Sequence, residues 1–314
     1  MRPFRFGVQA YGAAGGDGWR QLARTAEAAG YSILTMPDHF GEKAAVMPSL
    51  VAAADATERL RVGPLVMNND LWNPVQLARD AATVDVLSGG RFELGVGAGW
   101  RLEDYRWAGR ERDPAGERIE RLGEGLHVMK GAFSGEPFSF SGRHYQVSGL
   151  EGWPPPVQRP HPPIFVGGSG PKILAIAARE ADVVGVHINL SAGDFVIGRG
   201  AAHREQGATA AEIDRRLEWI RREAGARFES LELHLFLLEV AITERPREAA
   251  ARFAPAYALS EEEMLGSPYF QFGTADGIAA ALEEVRARFG ISYVTVRLDH
   301  LELFAPVVER LAGR

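Results

Sequence analysis

Short apolar runs alternate with longer amphipathic stretches along the whole chain, and this alternation limits the fold more than any other feature. A predicted helix follows each apolar run, and the runs themselves are unbroken, which is typical of a parallel sheet buried on both faces. Eight such units predict a (β/α)8 barrel, the TIM barrel, with a doubly wound open sheet as the alternative. The predicted strands are Phe4–Ala10, Ser32–Met36, Leu60–Val66, Phe92–Val96, Ile164–Val166, Val183–Val186, Leu231–Val240 and Tyr293–Leu298.

The length of the chain fits one barrel domain with insertions. A barrel takes about 250 residues, and the chain has 314, so we expect a single domain over residues 1–314. Three segments exceed a minimal barrel: Gly135–Pro163, Asn189–Gly207 and Ala254–Phe272. The first contains FSFSGRHYQV, which predicts a β-hairpin turning at Ser141-Gly142. Connections of this length are usually lids or insertions with a function.

Composition excludes several classes of protein. A net charge of -6 and a pI near 5.8 argue against a nucleic-acid partner. The absence of cysteine excludes disulfides, thiolate metal sites and a cysteine nucleophile, and none of the eight histidines has close metal-ligand spacing, so we expect no metal. The chain has neither an apolar run of 18 residues nor the pattern of a signal peptide. We therefore expect a cytoplasmic protein with no membrane partner.

Polar residues follow several of the predicted strands. Active sites of α/β barrels lie at the carboxyl ends of the strands, and there this chain offers Gln9, Asp38, His39, Asn68, Trp100 and His187. Since Asp38 and His39 are adjacent, one can hold backbone or orient a ligand while the other reaches into the site. A histidine there can exchange a proton near neutral pH. The alternatives are a polar loop pair and, for His187, a satisfied core histidine.

Two glycine-rich turns also follow predicted strands. The segment LSGGRFELGVGAGW, Leu87–Trp100, ends in a turn over Gly95–Gly99, and glycine there would let a ligand approach the backbone closely. The second turn, Gly167–Gly170, precedes a helix that begins at Pro171, and the amino end of a helix favours phosphate. Each could be a plain tight turn. As neighbours in a barrel, the two turns together predict a phosphate cradle.

These segments resemble the bacterial luciferase-like monooxygenase superfamily and, within it, the deazaflavin-dependent branch. The resemblance covers most of the chain and implies an eight-stranded α/β barrel with insertions, usually dimeric. It implies FMN or coenzyme F420 bound at the carboxyl ends of the strands, a small-molecule substrate and a homodimer. The sequence segments on which the resemblance rests are AEAAGYSILTMPDHF, LRVGPLVMNNDLWNPVQLARDAATVDVLSGGRFELGVGAGW, the FSFSGRHYQV hairpin and PPIFVGGSGPKILAIAAREAD.

The resemblance also implies roles for individual residues. Asp38 and His39 match a pair that faces the deazaflavin ring, with His39 as proton donor or acceptor while a hydride moves to or from C5. Leu65 and Val66 match the place of a non-proline cis peptide that backs the ring, and Asn68 would reach the ring or the ribityl chain. The residues implied along the ribityl-phosphate path are Gly97, Ala98 and Gly99, and those implied at the phosphate are Gly167, Gly168, Ser169 and Gly170.

The chain departs from the sugar-phosphate dehydrogenases of this branch. Those enzymes carry an acidic residue after the glycine turn, where this chain has Trp100, and the segment GEKAAVMPSL lacks their aromatic and basic substrate groups. A sugar phosphate is therefore not the expected substrate. Trp100, with Gln9 and His187, is assigned to a substrate cavity that we expect to be apolar or aromatic. Further aromatic candidates, each of which could instead only pack, are Trp72, Tyr105 and Trp107.

The sequence thus predicts an F420-dependent oxidoreductase that transfers a hydride between the deazaflavin C5 and an organic, apolar substrate. Without a reactive nucleophile or a metal, a cofactor has to supply the redox chemistry. One alternative is an FMN-dependent monooxygenase that uses O2 and an external reductase. Another is a barrel that binds the cofactor without catalysing hydride transfer.

Overall fold

The computed structural model describes residues 1–12, 15–41, 44–189 and 207–314. The strands in these ranges are β1 (Arg5–Gln9), β2 (Ile33–Met36), β3 (Arg61–Pro64), β4 (Met67–Asn68), β5 (Leu94–Gly97), β6 (Phe138–Ser141), β7 (Gln146–Leu150), β8 (Ile164–Gly168), β9 (Val183–Val186), β10 (Glu232–Phe236), β11 (Glu239–Ile242), β12 (Phe270–Gly273) and β13 (Ile291–Arg297). The α-helices are α1 (Gly16–Ala28), α2 (Val46–Asp55), α3 (Pro74–Leu87), α4 (Leu102–Trp107), α5 (Ala115–Phe133), α6 (Pro171–Glu180), α7 (Ala210–Ala224), α8 (Pro246–Phe253), α9 (Glu261–Leu265), α10 (Ala275–Phe289) and α11 (Leu301–Leu311).

Nine strands form one parallel sheet in the order β3-β2-β1-β13-β10-β9-β8-β5-β4. Its two ends, β3 and β4, are successive pieces of the chain separated only by Leu65 and Val66. β4 pairs with β5, and a bridge between Val62 and Phe92 joins β3 to the segment ahead of β5. The sheet therefore curls into a nearly closed barrel with eight strand positions, which confirms the predicted barrel over the open sheet.

The core of the barrel comes from strands that are buried on both faces. All four residues of β2 and all four of β9 are buried, as their unbroken apolar sequences predict.

None of the described helices is long and apolar enough to cross a membrane. The homodimer, the cytoplasmic location and the lack of a nucleic-acid partner stay predictions.

Two predictions about chain segments need correction. The run Leu231–Val240 is not one strand: β10 ends at Phe236, and β11 begins at Glu239 and pairs with β12 outside the barrel. The apolar sequence continues through both β10 and β11, so the hydrophobic pattern does not show where one strand ends and the next begins. Ala254–Phe272 is not a plain connection either, since it contains α9 and the first part of β12. Of Asn189–Gly207, residues 190–206 lie outside the described part of the chain.

The predicted hairpin is present. β6 and β7 pair antiparallel, and the turn is closed by a hydrogen bond from the Gly142 N–H to the Tyr145 carbonyl at 2.9 Å, slightly later than predicted. Glu124 of α5 accepts three consecutive backbone N–H groups of this turn, from residues 143 to 145. The hairpin is therefore anchored on α5.

Candidate functional site

A cavity of about 1300 Å³ opens at the carboxyl ends of the barrel strands. Every residue that the sequence assigns to the site lines it. These residues are Gln9, Asp38, His39, Leu65, Val66, Asn68, Gly97, Ala98, Gly99, Trp100, Gly167, Gly168, Ser169, Gly170 and His187. The fold thus brings the predicted set together, while the role of each residue stays a prediction.

His39, in the loop that follows β2, is held by a carboxylate that the sequence did not reveal. Its Nδ1 lies 2.6 Å from Oδ2 of Asp104 on α4, and the Asp104 side chain is only 2% exposed. A carboxylate only accepts hydrogen bonds, so the shared proton belongs on Nδ1. The Trp100 ring meets the imidazole edge-on, with 5.7 Å between the ring centroids. His39 is therefore presented to the cavity in one defined orientation.

The side chain of Asp38 binds groups of the protein itself, whereas that of His39 is presented to the cavity. Its Oδ2 accepts the backbone N–H of Asn68 at 3.0 Å and the indole N–H of Trp72 at 2.7 Å. Burial raises the pKa of Asp38, and these two hydrogen bonds oppose the rise. Asp38 thus ties the loop after β2 to β4, which fits the expectation that one member of the pair holds backbone.

The segment between β3 and β4 forms one wall of the cavity. The peptide bond between Leu65 and Val66 is cis, at the place that the resemblance implied. Gln9 donates from Nε2 to the Leu65 carbonyl at 2.9 Å. Asn68 accepts the backbone N–H of Asp70 on its side-chain oxygen at 3.1 Å. Gln9 and Asn68 therefore hold this wall in place as well as facing the cavity.

The turn ahead of α6 carries the features of an anion site. The helix begins at Pro171, and its N-cap residue, Gly170, makes no side-chain hydrogen bond, so with respect to the described residues its first N–H groups stay available to a ligand. Lys172 lines the same end of the cavity. Beneath the turn, the buried Arg216 donates to the Ser169 carbonyl at 3.3 Å. These groups fit the predicted phosphate position, and the sequence GGSGPK contained the signal for Lys172.

Arg118 of α5 is a second cation that sequence reasoning missed. It is 6% exposed and donates to the carbonyls of Asp113, Ala98 and Gly99. In the described part of the chain these hydrogen bonds go to backbone oxygens and none goes to a carboxylate. Its charge also interacts with the exposed carboxylate of Asp113. A buried cation at a cavity wall whose hydrogen bonds all go to neutral carbonyls favours an anionic ligand. No spacing in the sequence links this arginine to the glycine turn.

His187 lies at the inner end of the cavity. Its Nε2 is buried and has no hydrogen-bond partner among the described residues, so the alternative of a fully satisfied core histidine does not hold for this atom. Burial, together with the nearby Arg216, lowers the pKa of His187 to about 4. The ring is therefore neutral at pH 7 and can offer a hydrogen bond to a ligand without supplying a charge.

The four aromatic candidates divide into two groups. Trp100 and Trp107 line the cavity, and Trp107 is 57% exposed at its rim. Trp72 instead binds Asp38, as described above. Tyr105 is buried and donates from its hydroxyl to Asp70 at 3.0 Å. Trp72 and Tyr105 therefore support the protein's own structure, and the expected aromatic lining comes from the other two.

A cluster outside the cavity was not visible in the sequence. Glu117, Glu120 and His144 place one potential metal-ligand atom each within 4.8 Å of one another. Arg143 already binds both carboxylates, at 2.9 Å and 2.8 Å. The cluster therefore serves as an ion-pair network that joins the hairpin turn to α5.

Comparison with known proteins shows similarity along most of the chain. The family model described as luciferase-like monooxygenase matches residues 2–292. An FMNH2-dependent dimethylsulfone monooxygenase of Pseudomonas putida is 32% identical over 172 residues, which are 52% of this chain and 46% of that protein. An F420-dependent glucose-6-phosphate dehydrogenase of Amycolatopsis mediterranei is 28% identical over 170 residues, 52% of this chain and 50% of that protein. The alignments thus span about half of each relative.

Among solved structures, the F420-dependent tetrahydromethanopterin reductase of Methanopyrus kandleri superimposes with a TM-score of 0.76. The superposition covers 98% of both chains at 17% sequence identity. At this identity the likeness concerns the fold.

Proposed function

Because the chain belongs to the luciferase-like monooxygenase family, we propose that it is an F420-dependent oxidoreductase that transfers a hydride between the deazaflavin C5 and an apolar organic substrate. The observation that carries the proposal is His39, held by a buried carboxylate at the wall of the cavity. Hydride transfer to or from a carbon that bears oxygen or nitrogen needs a proton donor or acceptor, and an oriented histidine supplies one.

The residues present fit such a cofactor. The cavity volume of about 1300 Å³ exceeds the roughly 300–1,000 Å³ of ordinary ligand pockets, which leaves room for a cofactor with a substrate beside it. The uncapped start of α6 and Lys172 are available to a phosphate at one end, and Arg118 adds a positive charge to the cavity lining. Among the described residues, the Nε2 atom of His187 has no hydrogen-bond partner, and a bound ligand would provide one.

The chain's own residues then have defined tasks. A bound deazaflavin supplies a carrier for two electrons and one proton as hydride. Leu65 and Val66 would back the ring, while Trp100 and Trp107 would hold an apolar substrate and exclude water. When a carbon gives up its hydride, the oxygen or nitrogen on that carbon loses a proton, and His39 accepts it. In the reverse direction, His39 returns that proton as the carbon gains the hydride.

An FMN-dependent monooxygenase of the same fold is the second candidate. It is favoured by the 32% identity to the dimethylsulfone monooxygenase, slightly above the 28% to the F420-dependent relative. The phosphate end would serve FMN equally well, because both cofactors present an anion there. The reduced flavin would then come from an external reductase.

A cofactor titration distinguishes the two candidates. We expect F420 to bind with a micromolar dissociation constant and at least about tenfold more tightly than FMN, a difference of about 1.4 kcal/mol. Absorbance and fluorescence of each cofactor follow the binding, and riboflavin, which lacks the phosphate, serves as the control. Tighter binding of FMN would favour the monooxygenase. Binding of F420 without hydride exchange with any alcohol, carbonyl or imine would favour the non-catalytic barrel.

Replacing Lys172 with methionine tests the phosphate end. We expect the dissociation constant of the phosphorylated cofactor to rise about tenfold, since one charge-assisted hydrogen bond is lost. Binding of the phosphate-free analogue should not change. Lys130→Met is the matched control, because Lys130 pairs with Glu180 away from the cavity lining. An equal loss for both ligands would show that Lys172 does not contact phosphate.

A further inference from the structure

Asp104 is the buried carboxylate behind His39, and both of its oxygens bind the loop that follows β2. Oδ2 lies 2.6 Å from Nδ1 of His39, and Oδ1 accepts the backbone N–H of Phe40 at 3.1 Å. The imidazole and the backbone next to it are thus fixed to one rigid group. Rotation of the ring by half a turn would break the first contact, so the position of each ring nitrogen is defined.

Two carboxylates and one guanidinium are the charged groups that the described residues place around this contact. Asp104 faces Nδ1 from α4, and Asp38, beside His39 in the chain, adds a second negative charge. Arg101 places Nη1 3.8 Å from Asp104 Oδ1, which is beyond hydrogen-bond distance and offsets only part of the carboxylate charge. Trp100 closes one side of the ring without adding charge.

We infer that Asp104 is a positioning residue that acts through His39, an inference that rests on the proposed function for its catalytic part. Asp104 keeps the proton on Nδ1, so that Nε2 is the nitrogen that takes the proton from the substrate oxygen or nitrogen or returns it. It also stabilises the imidazolium that exists after the proton has been accepted. A carboxylate behind a catalytic histidine does both in other enzymes, where its loss leaves the wrong tautomer.

The variant Asp104→Asn tests the inference, with Glu103→Gln as the matched control. Glu103 is the preceding residue of α4, and its exposed carboxylate lies 3.7 Å from Arg101. Proton–nitrogen correlation spectra of the cofactor-free protein report the tautomer and titration of His39, which is assigned by its absence in His39→Gln. We expect Nδ1 to be protonated in the wild type and the control. In Asp104→Asn, the titration midpoint of His39 should fall by about one pH unit or more.

The kinetic readout separates positioning from a general structural effect. In Asp104→Asn we expect kcat to fall about a hundredfold, with the dissociation constant of the cofactor within about threefold of wild type. Asp104→Glu, which keeps the charge, should restore part of the loss. Combining Asp104→Asn with His39→Gln should cost little beyond His39→Gln alone, because the two residues act as one unit.

Several outcomes would overturn the inference. An unchanged tautomer and midpoint of His39 in Asp104→Asn would do so, as would a full additional loss of kcat in the double variant. If Asp104→Asn does not fold, the wild-type spectrum decides, since a proton on Nε2 in place of Nδ1 contradicts the assignment. Failure to bind either cofactor would refute the proposed function, while the spectra would still test the pairing of Asp104 with His39.

Discussion

Replacing His39 with alanine should lower kcat by about a hundred- to ten-thousandfold, the range that a positioned proton donor or acceptor contributes. Binding of the cofactor should stay within about threefold of wild type, because the anion site lies at the other turn of the cavity, around Ser169 and Lys172. Steady-state rates with a substrate found in the cofactor assay, together with a cofactor titration of the same preparation, measure both quantities. The loss should appear in kcat with KM little changed, since the proton moves mainly in the transition state.

His127→Ala provides the control for this substitution. His127 is exposed on α5, where its ring stacks on Phe140 and it does not line the cavity. Its variant should keep wild-type turnover. Free imidazole added to His39→Ala should restore part of the rate, because the deletion leaves space at the cavity wall. A His39→Ala protein that turns over normally would remove the observation on which the proposed function depends.

The barrel and the lining of its cavity could be predicted from sequence because both depend on local patterns. Each strand is an apolar run, and the carboxyl ends of parallel strands meet at one edge of the sheet, so residues such as Gln9, His39 and His187 had to converge. Asp104 could not be found in this way. It lies 65 residues from His39 on a six-residue helix, and a contact over that separation leaves no spacing signal in one sequence.

The glycines of LSGGRFELGVGAGW show the same limit in another form. The sequence interpretation explained them by close approach of a ligand. In the structure, a methyl group on Gly95 would overlap the Pro64 carbonyl, and one on Gly97 would lie 2.6 Å from a methyl of Val66. These glycines are therefore required by the close packing of β5 against the segment around the cis peptide. Close approach of a ligand and close approach of a neighbouring strand both require glycine, so the sequence alone cannot distinguish the two causes.

Glu93, in the middle of that same segment, carries the largest stability effect that we predict. It is 4% exposed and precedes β5 at the amino ends of the strands, on the opposite side of the barrel from the cavity. Its carboxylate binds Arg5 of β1 at 2.6 Å and 2.9 Å and Arg61 of β3 at 2.5 Å. Arg5 in turn binds Glu232 of β10. One carboxylate thus joins the first residues of two strands directly and a third through Arg5.

Glu93→Gln should lower the free energy of unfolding by about 3 kcal/mol, since it leaves the partly buried Arg61 without its carboxylate and Arg5 with Glu232 alone. Burial alone would raise the pKa of Glu93, but Arg5 and Arg61 outweigh it and the pKa is lowered below its ordinary 4.5. A carboxyl group with a lowered pKa in the folded state stabilises the protein fully above pH 4.5, and that contribution is lost as the pH falls through the folded-state value. The difference between wild type and variant should therefore be constant from pH 7 to about pH 5 and shrink below that.

Urea unfolding at a series of pH values measures this difference, provided that the m-values of the two proteins agree. Glu223→Gln is the control, because Glu223 pairs with the exposed Arg179 on the surface and its loss should cost less than about 0.5 kcal/mol. If the free energy of unfolding of Glu93→Gln lies within about 1 kcal/mol of the wild-type value at pH 7, Arg5 and Arg61 bind other partners or water in the variant. A difference that grew as the pH fell would contradict the lowered pKa, because protonation of Glu93 in the wild type should make the two proteins more alike.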